Sequence, residues 1–381
     1  MLDLTTIGVV GDGVTDNHAI IQEAINSSEH TVFTLPAGEF RVGKTLQIPR
    51  RGITIIGNYH GRKEEHATII KYTGNNDLFK LGGADTPAFG GIQGFKLQNL
   101  SLVCDSSMKA SLENPYSRSV SRHMYNLTTA AIADYRGGGL LFENVQIERF
   151  EIAIYGEQSD INRFTNCNFF YNKTGLEFYT GSDQMSVNGC YFLGNDRSVY
   201  LEGVAGARFN DCQFVKEGAA SETPIQLEGC KSIRSAGCWF EGLGKLGATV
   251  PAYVSIGKSM ECKDVFFRDS TLAIGDPNTD GSPVCNYFVT IKKGKKILID
   301  EVGGYPKNLK QLVLLAASDY KQASVTVRAH LDFTYPAGGY IREENAVTEV
   351  ASTITNYWQL SKNWGSGIQM QTLGQEEEEE I

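Results

Sequence analysis

The chain has 381 residues, a formal charge of −9, 21% charged and 10% aromatic residues, and 41 glycines, a turn-rich composition that suits a β-rich globular protein. Its acidic excess, which includes five glutamates in a row at 376–380, argues against nucleic acid or an anionic membrane surface as partner, since both demand clustered cations. The one basic run, Lys292, Lys293, Lys295 and Lys296, reads as a solvated strand end, and no apolar stretch reaches membrane-spanning length.

The N-terminus lacks the charged-then-apolar layout of a secretion signal, so the chain looks cytosolic where it is made. Residues 7–25, "IGVVGDGVTDNHAIIQEAI", open with a turn and continue as a short helix. Gly11-Asp12-Gly13 supplies positive-φ positions, Asp16 can cap the helix, and Ile20, Ile21, Ala24 and Ile25 share one face. The glycine spacing matches neither a dinucleotide fingerprint nor a phosphate-binding loop. A helix with one apolar face has to cover something.

Further along, 104–139 reads as a long insertion between strand-like segments, carrying Tyr116, Arg118, Arg122, His123, Tyr125, Asp134, Tyr135 and Arg136. From residue 142 a repeat emerges. "FENVQI", "FTNCNF", "VNGCYF", "FNDCQF" and "SAGCWF" align so that Val145, Cys167, Cys190, Cys212, Cys238 and Val265 are equivalent, at intervals of 22, 23, 22, 26 and 27 residues. Each unit is followed by a second short strand, as in "AIYGEQ", "GLEFYT", "VYLEG" and "IQLEG". Short strands in coils of about 22 residues predict a single-stranded right-handed parallel β-helix. The four cysteines then form an inward column that packs as free thiols, since in-register neighbours sit about 4.8 Å apart. Asn144, Asn166 and Asp211 occupy one turn, where their side chains can bond adjacent coils.

The segments "GVVGDGVTDNHAIIQEAI", "TVFTLPAGEFRVGKTLQIP" and "GITIIGNY" resemble the N-terminal part of the pectate-lyase-like right-handed β-helix proteins, in particular the branch of phage tailspikes and polysaccharide depolymerases. The resemblance is specific over residues 7–74, and the coil pattern extends it to about Val302. It implies that the helix caps the open end of the coil stack. It also implies a protein of the virion tail, made in the host cytoplasm, which acts as a homotrimer on a bacterial capsule, O-antigen or other polysaccharide. The expected organisation is a β-helix over 1–308 with its insertion at 104–139, a β-rich C-terminal segment over 309–374, and an acidic tail at 375–381. The C-terminal segment is either a trimerisation or carbohydrate-binding region, as in tailspikes, or the closing coils and a cap.

Because a β-helix core is filled by side chains, chemistry must sit outside it. If Leu176/Phe178, Val199/Leu201 and Ile225/Leu227 point inward, then Glu177, Tyr179, Tyr200, Glu202, Gln226 and Glu228 point outward. Glu202 and Glu228 stack, with Glu177 diagonal to them. Stacked carboxyls serve glycoside hydrolysis, one as acid and one as base or nucleophile, while Tyr155, Tyr179, Tyr200 and Gln226 can hold sugar rings. A second place is the 104–139 insertion, whose Arg122, His123 and Tyr125 would suit lyase chemistry on a uronate. A third is the turn pair Asp160 and Asp183, which reads as turn chemistry. A non-catalytic receptor-binding β-helix is the alternative of another class. No metal-ligand motif and no cofactor fingerprint stands out, so neither is assigned.

Overall fold

In the computed structural model, the described residues are 1–61, 66–81, 94–104, 130–135, 138–217, 222–243, 250–274, 285–304, 311–316, 325–331, 341–344 and 356–357. They form a right-handed parallel β-helix whose coils contribute strands to three parallel sheets. In one complete coil, Arg163–Thr165 lies in sheet I, Asn168–Phe170 in sheet II and Thr174–Phe178 in sheet III. The next coil repeats this with Ser186–Asn188, Tyr191–Leu193 and Arg197–Glu202, each in register with its predecessor.

The corner between sheets I and II is a single residue with positive φ. Asn99, Asn144, Asn166, Asp211 and Asp269 occupy it, with Gly189 and Gly237 between them in the stack. Asparagine and aspartate tolerate this region better than other side chains. Asn144 donates its amide to Asn99 Oδ1 at 3.0 Å. At Gly189 a Cβ would lie 2.7 Å from Asn166 Oδ1, so the asparagine below occupies the space a side chain would need. A second amide ladder stands at the corner between sheets II and III. Buried Asn172 accepts from Phe150 N (3.0 Å), and Asn195 accepts from Asn172 N (2.9 Å).

Inside, Phe169, Phe192, Phe214 and Phe240 stack nearly parallel, with centroids 4.7, 4.8 and 5.4 Å apart. Burying each ring contributes roughly 1.5–3 kcal/mol, against about 1 kcal/mol for a corner hydrogen bond. The rings therefore supply most of the stability and the corners set the register. Cys167, Cys190, Cys212 and Cys238 are buried free thiols, as expected from the repeat, and each donates to a carbonyl two residues earlier at 3.3–3.5 Å. Burial, above all, pushes the Cys190 thiol well above its ordinary range, so it is chemically quiet.

Helix α1 (His18–Asn26) buries Ile21, Ala24 and Ile25, with Ile20 partly buried against the same core, over the first strand of sheet III, Leu46–Ile48. The turn before it differs in detail from the sequence expectation. Gly13 alone of the two glycines has positive φ (72°); Gly11 is needed because a Cβ there would sit 2.9 Å from the Phe40 ring. The N-cap is Asn17, whose side chain turns inward to Val10 and Arg41, while Asp16 accepts from His18 N and Gly43 N.

The described residues bear on two of the domain expectations. The described strands beyond 308 continue the same ladders: Gln311–Ala316 pairs in parallel with Cys285–Ile291, Val325–Leu331 with Gly294–Gly304, and Ile341–Glu344 with Gln311–Ala316. Coil length changes there, which erases the 22-residue spacing without ending the pairing. Likewise Ala130–Tyr135, inside the expected insertion, is a sheet III strand between Phe79–Leu81 and Ile152–Glu157. Arg122, His123, Tyr125 and the 375–381 tail lie outside the described residues.

Removing residues 1–26 uncovers apolar surface at a ladder end, where strand edges are open to association; the truncated protein should aggregate by light scattering. The Asp16 carboxyl offers a milder probe. Partial burial acts to raise its pKa but is outweighed by the N–H groups of His18 and Gly43, so the value lies below 3.8. Its stabilisation is present above pH 3.8 and lost as the pH falls through the lower folded value. The melting-temperature gap between wild type and Asp16→Asn should therefore close in acid.

Candidate functional site

The outer face of sheet III carries two adjacent columns. Tyr155, Glu177, Tyr200 and Gln226 are register partners in one. In the other, Glu202 and Glu228 are partners, Tyr179 lies one coil before Glu202, and Glu157 one coil before Tyr179. Each strand thus presents an outward pair at i and i+2: Tyr155/Glu157, Glu177/Tyr179, Tyr200/Glu202 and Gln226/Glu228. The order alternates over the first three strands, so tyrosine and glutamate form a checkerboard there, which the Gln226/Glu228 pair ends. The three rings zigzag along the solenoid axis with centroids 5.6 Å apart at both steps.

Alternation resolves the like-charge problem of a glutamate column. Tyr179 donates to Glu177 Oε1 at 2.8 Å, Tyr200 donates to Glu202, and Tyr155 to Glu157 at 3.3 Å. Burial first, and then the hydrogen bond to Glu177 or Glu202, raises the Tyr179 and Tyr200 phenols far above their ordinary range. At neutral pH both therefore stay protonated donors.

The three predicted glutamates have different surroundings. Glu202 is half-exposed and accepts from the Tyr200 hydroxyl. Glu177 is 8% exposed; Arg197 Nη2 lies 3.3 Å from its Oε2, and the Arg197 guanidinium covers the Tyr200 ring at 4.5 Å. Glu228 is 3% exposed and accepts from the backbone N–H groups of Lys258, Ser259 and Met260 at 2.8–3.2 Å, and from Gln226. Its carboxylate holds the 258–260 turn, and Glu228 stacks on Glu202 as expected. Asp160 and Asp183 cap the next coil, accepting from Asp183 N and Ala205 N.

Carboxyl separation follows from these positions. Glu202 and Glu228 are one coil apart, about 4.8 Å along the ladder, but Glu228 is engaged. Glu177 and Glu202 are diagonal, about 8 Å apart, within the roughly 6.5–9.5 Å that leaves room for an attacking water. Two residues of this face escape a sequence reading that looks for one repeated outward position. Glu157 takes the place that tyrosine takes one coil later, and Arg197 projects from the start of its strand. The i, i+2 pairing in every strand was the signal that could have found Glu157. Among the described residues no cluster of three or more His, Cys, Asp or Glu side chains could hold a metal ion.

Residues 102–250 match the family model for the right handed beta helix region. No curated protein matches the chain. Among solved structures, the chain is similar to the ORF18 protein of Geobacillus virus E2, with a TM-score of 0.55 and 16% identity over 90% of this chain and 61% of that one. It thus spans about three fifths of the viral protein's length. It is also similar to DFA-IIIase from Arthrobacter chlorophenolicus A6 (TM-score 0.59, 11% identity, 94% and 97% covered) and to PfbA, a surface adhesin of Streptococcus pneumoniae (0.55, 12%, 92% and 96%). At such identities the likeness establishes the fold.

Glu228→Ala should lower stability by about 3 kcal/mol in urea unfolding, because it strands three backbone donors and removes a charged acceptor. Glu228→Gln should cost less, and Glu202→Ala, which leaves no buried donor unpaired, should cost under about 1 kcal/mol.

Proposed function

We propose that the chain is a tailspike-type β-helix protein that binds a bacterial surface polysaccharide along the outer face of sheet III and cleaves it by hydrolysis. One observation carries this reading: three tyrosine rings rise along the axis over consecutive coils, each bonded to a carboxylate beside it. Aromatic faces spaced in this way suit successive sugars of a chain lying parallel to the solenoid, and the phenol and carboxylate rims supply hydrogen bonds to hydroxyls. Glu202, with the greatest access of the three predicted glutamates, would transfer the proton, and Glu177 would be its partner across the diagonal. That spacing favours inversion at the anomeric carbon. A viral protein and an alpha-1,3-glucanase in complex with nigerose among the structures sharing this fold support the setting, and a homotrimer on a virion tail belongs to the same proposal.

The burial of Glu177 and the engagement of Glu228 favour a second reading, a non-catalytic glycan-binding β-helix; an adhesin shares the fold. A screen of capsules and O-antigens for depolymerisation separates the two. Hydrolysis yields new reducing ends, a lyase adds the absorbance of an unsaturated sugar, and an adhesin yields neither. On a verified substrate, Glu202→Gln and Glu177→Gln should each keep the fold and glycan binding while lowering turnover at least ~10²-fold, the scale of a lost general acid or base. Tyr200→Ala should weaken binding itself. Full activity in both glutamine variants would move the site elsewhere.

A further inference from the structure

Sheet I has an outer face of a different character. One register column contains Lys96, Leu141, Arg163, Ser186, Arg208 and Arg234. The three arginines are exposed, and none has an ion-pair partner among the described residues. The neighbouring outward column begins with Gln98 and the exposed Glu143, which accepts from Gln98 at 2.7 Å, and is then uncharged over the coils of the three arginines: Thr165, Asn188, Asn210 and Ala236, with Asn210 donating its amide to Asn188 at 2.8 Å. Cations farther along this sheet are treated differently: Lys263 and Lys295 share Glu261, Lys296 meets Asp264, and Arg268 meets Asp300.

Arg208 and Arg234 are direct register neighbours, an arrangement that like charges disfavour. In Arg234 the guanidinium lies over the Phe266 ring at 4.6 Å, which directs it toward the next coil. Apart from Glu143, one coil before Thr165, the acidic groups nearby stand at the corners of the coil. Asp160 and Asp183 accept backbone N–H groups at one edge, and Asp211 has the positive-φ position at the other. They leave an arginine-and-amide strip between two acidic borders, in a chain whose overall charge is −9.

We propose that the outer face of sheet I binds an acidic polysaccharide, its chain lying along the solenoid axis with sugar carboxylates on the arginines. Arg163 and Arg208 are two coils apart, about 9.6 Å along the ladder, which matches a carboxylate on alternate sugars. Guanidinium groups recognise carboxylates bidentately, the Asn188–Asn210 amides meet hydroxyls, and the acidic borders repel an anionic chain from the corners. This surface is separate from the tyrosine face of sheet III and does not depend on cleavage there.

Polygalacturonate, neutral dextran and single-stranded poly(dT) serve as probes in affinity electrophoresis and calorimetry with the full chain, at low and high salt. Polygalacturonate should bind, weaken as salt screens the contacts, and exceed both other probes. The Arg163→Gln/Arg208→Gln double variant should lose about 10-fold in affinity, the scale of two exposed charge contacts, with an unchanged melting temperature. Lys263→Gln, at a cation already paired with Glu261, should bind polygalacturonate as wild type does. Equal binding of dextran or poly(dT), no binding of polygalacturonate, or an equal loss in Lys263→Gln and the arginine variant would each overturn the proposal.

Discussion

Every coil of this protein must lie in register on the one before it, about 4.8 Å away, and that single constraint governs the remaining structure. A side chain in a parallel ladder has as its nearest neighbours the residues at the same position of adjacent coils. Each position is therefore selected by whether it can stack on its equivalents. Phenylalanine stacks face to face and fills the interior. Thiols stack because they are small and find a carbonyl two residues back. Asparagine stacks because its amide both donates and accepts.

Charge cannot stack in this way, and the three faces handle that differently. On sheet III a tyrosine is interposed between glutamates, and each phenol, kept protonated by burial and by its carboxylate neighbour, neutralises the repulsion locally. Where two glutamates do become direct neighbours, at Glu202 and Glu228, one is withdrawn into a turn of backbone donors. The stability of the 258–260 turn and the accessibility of the site are thereby linked through one carboxylate. On sheet I no residue is interposed between Arg208 and Arg234, and the Arg234 guanidinium instead turns onto the Phe266 ring of the next coil.

Much of this architecture is legible in the residues. The Cys/Val period revealed the coils, the Asn/Asp column revealed a corner, and alternation around Leu176, Val199 and Leu227 separated inside from outside. The strands beyond Leu309 were readable as strands but not as coils, because an altered coil length removes the period that identifies them while leaving the parallel pairing intact. Of the outward glutamates, position was readable and surroundings were not.

The sequence by itself determined the β-helix, its buried thiol column, its helical cap and the outward placement of Glu177, Glu202 and Glu228, because period and alternation are properties of one dimension. Tertiary structure alone decided that Arg197 covers Glu177 from 20 residues away, that Glu228 holds a turn 30 to 32 residues later, and that scattered arginines become one strip. Those outcomes depend on which side chains meet across coils, and sequence separation carries no information about that until the coils are stacked.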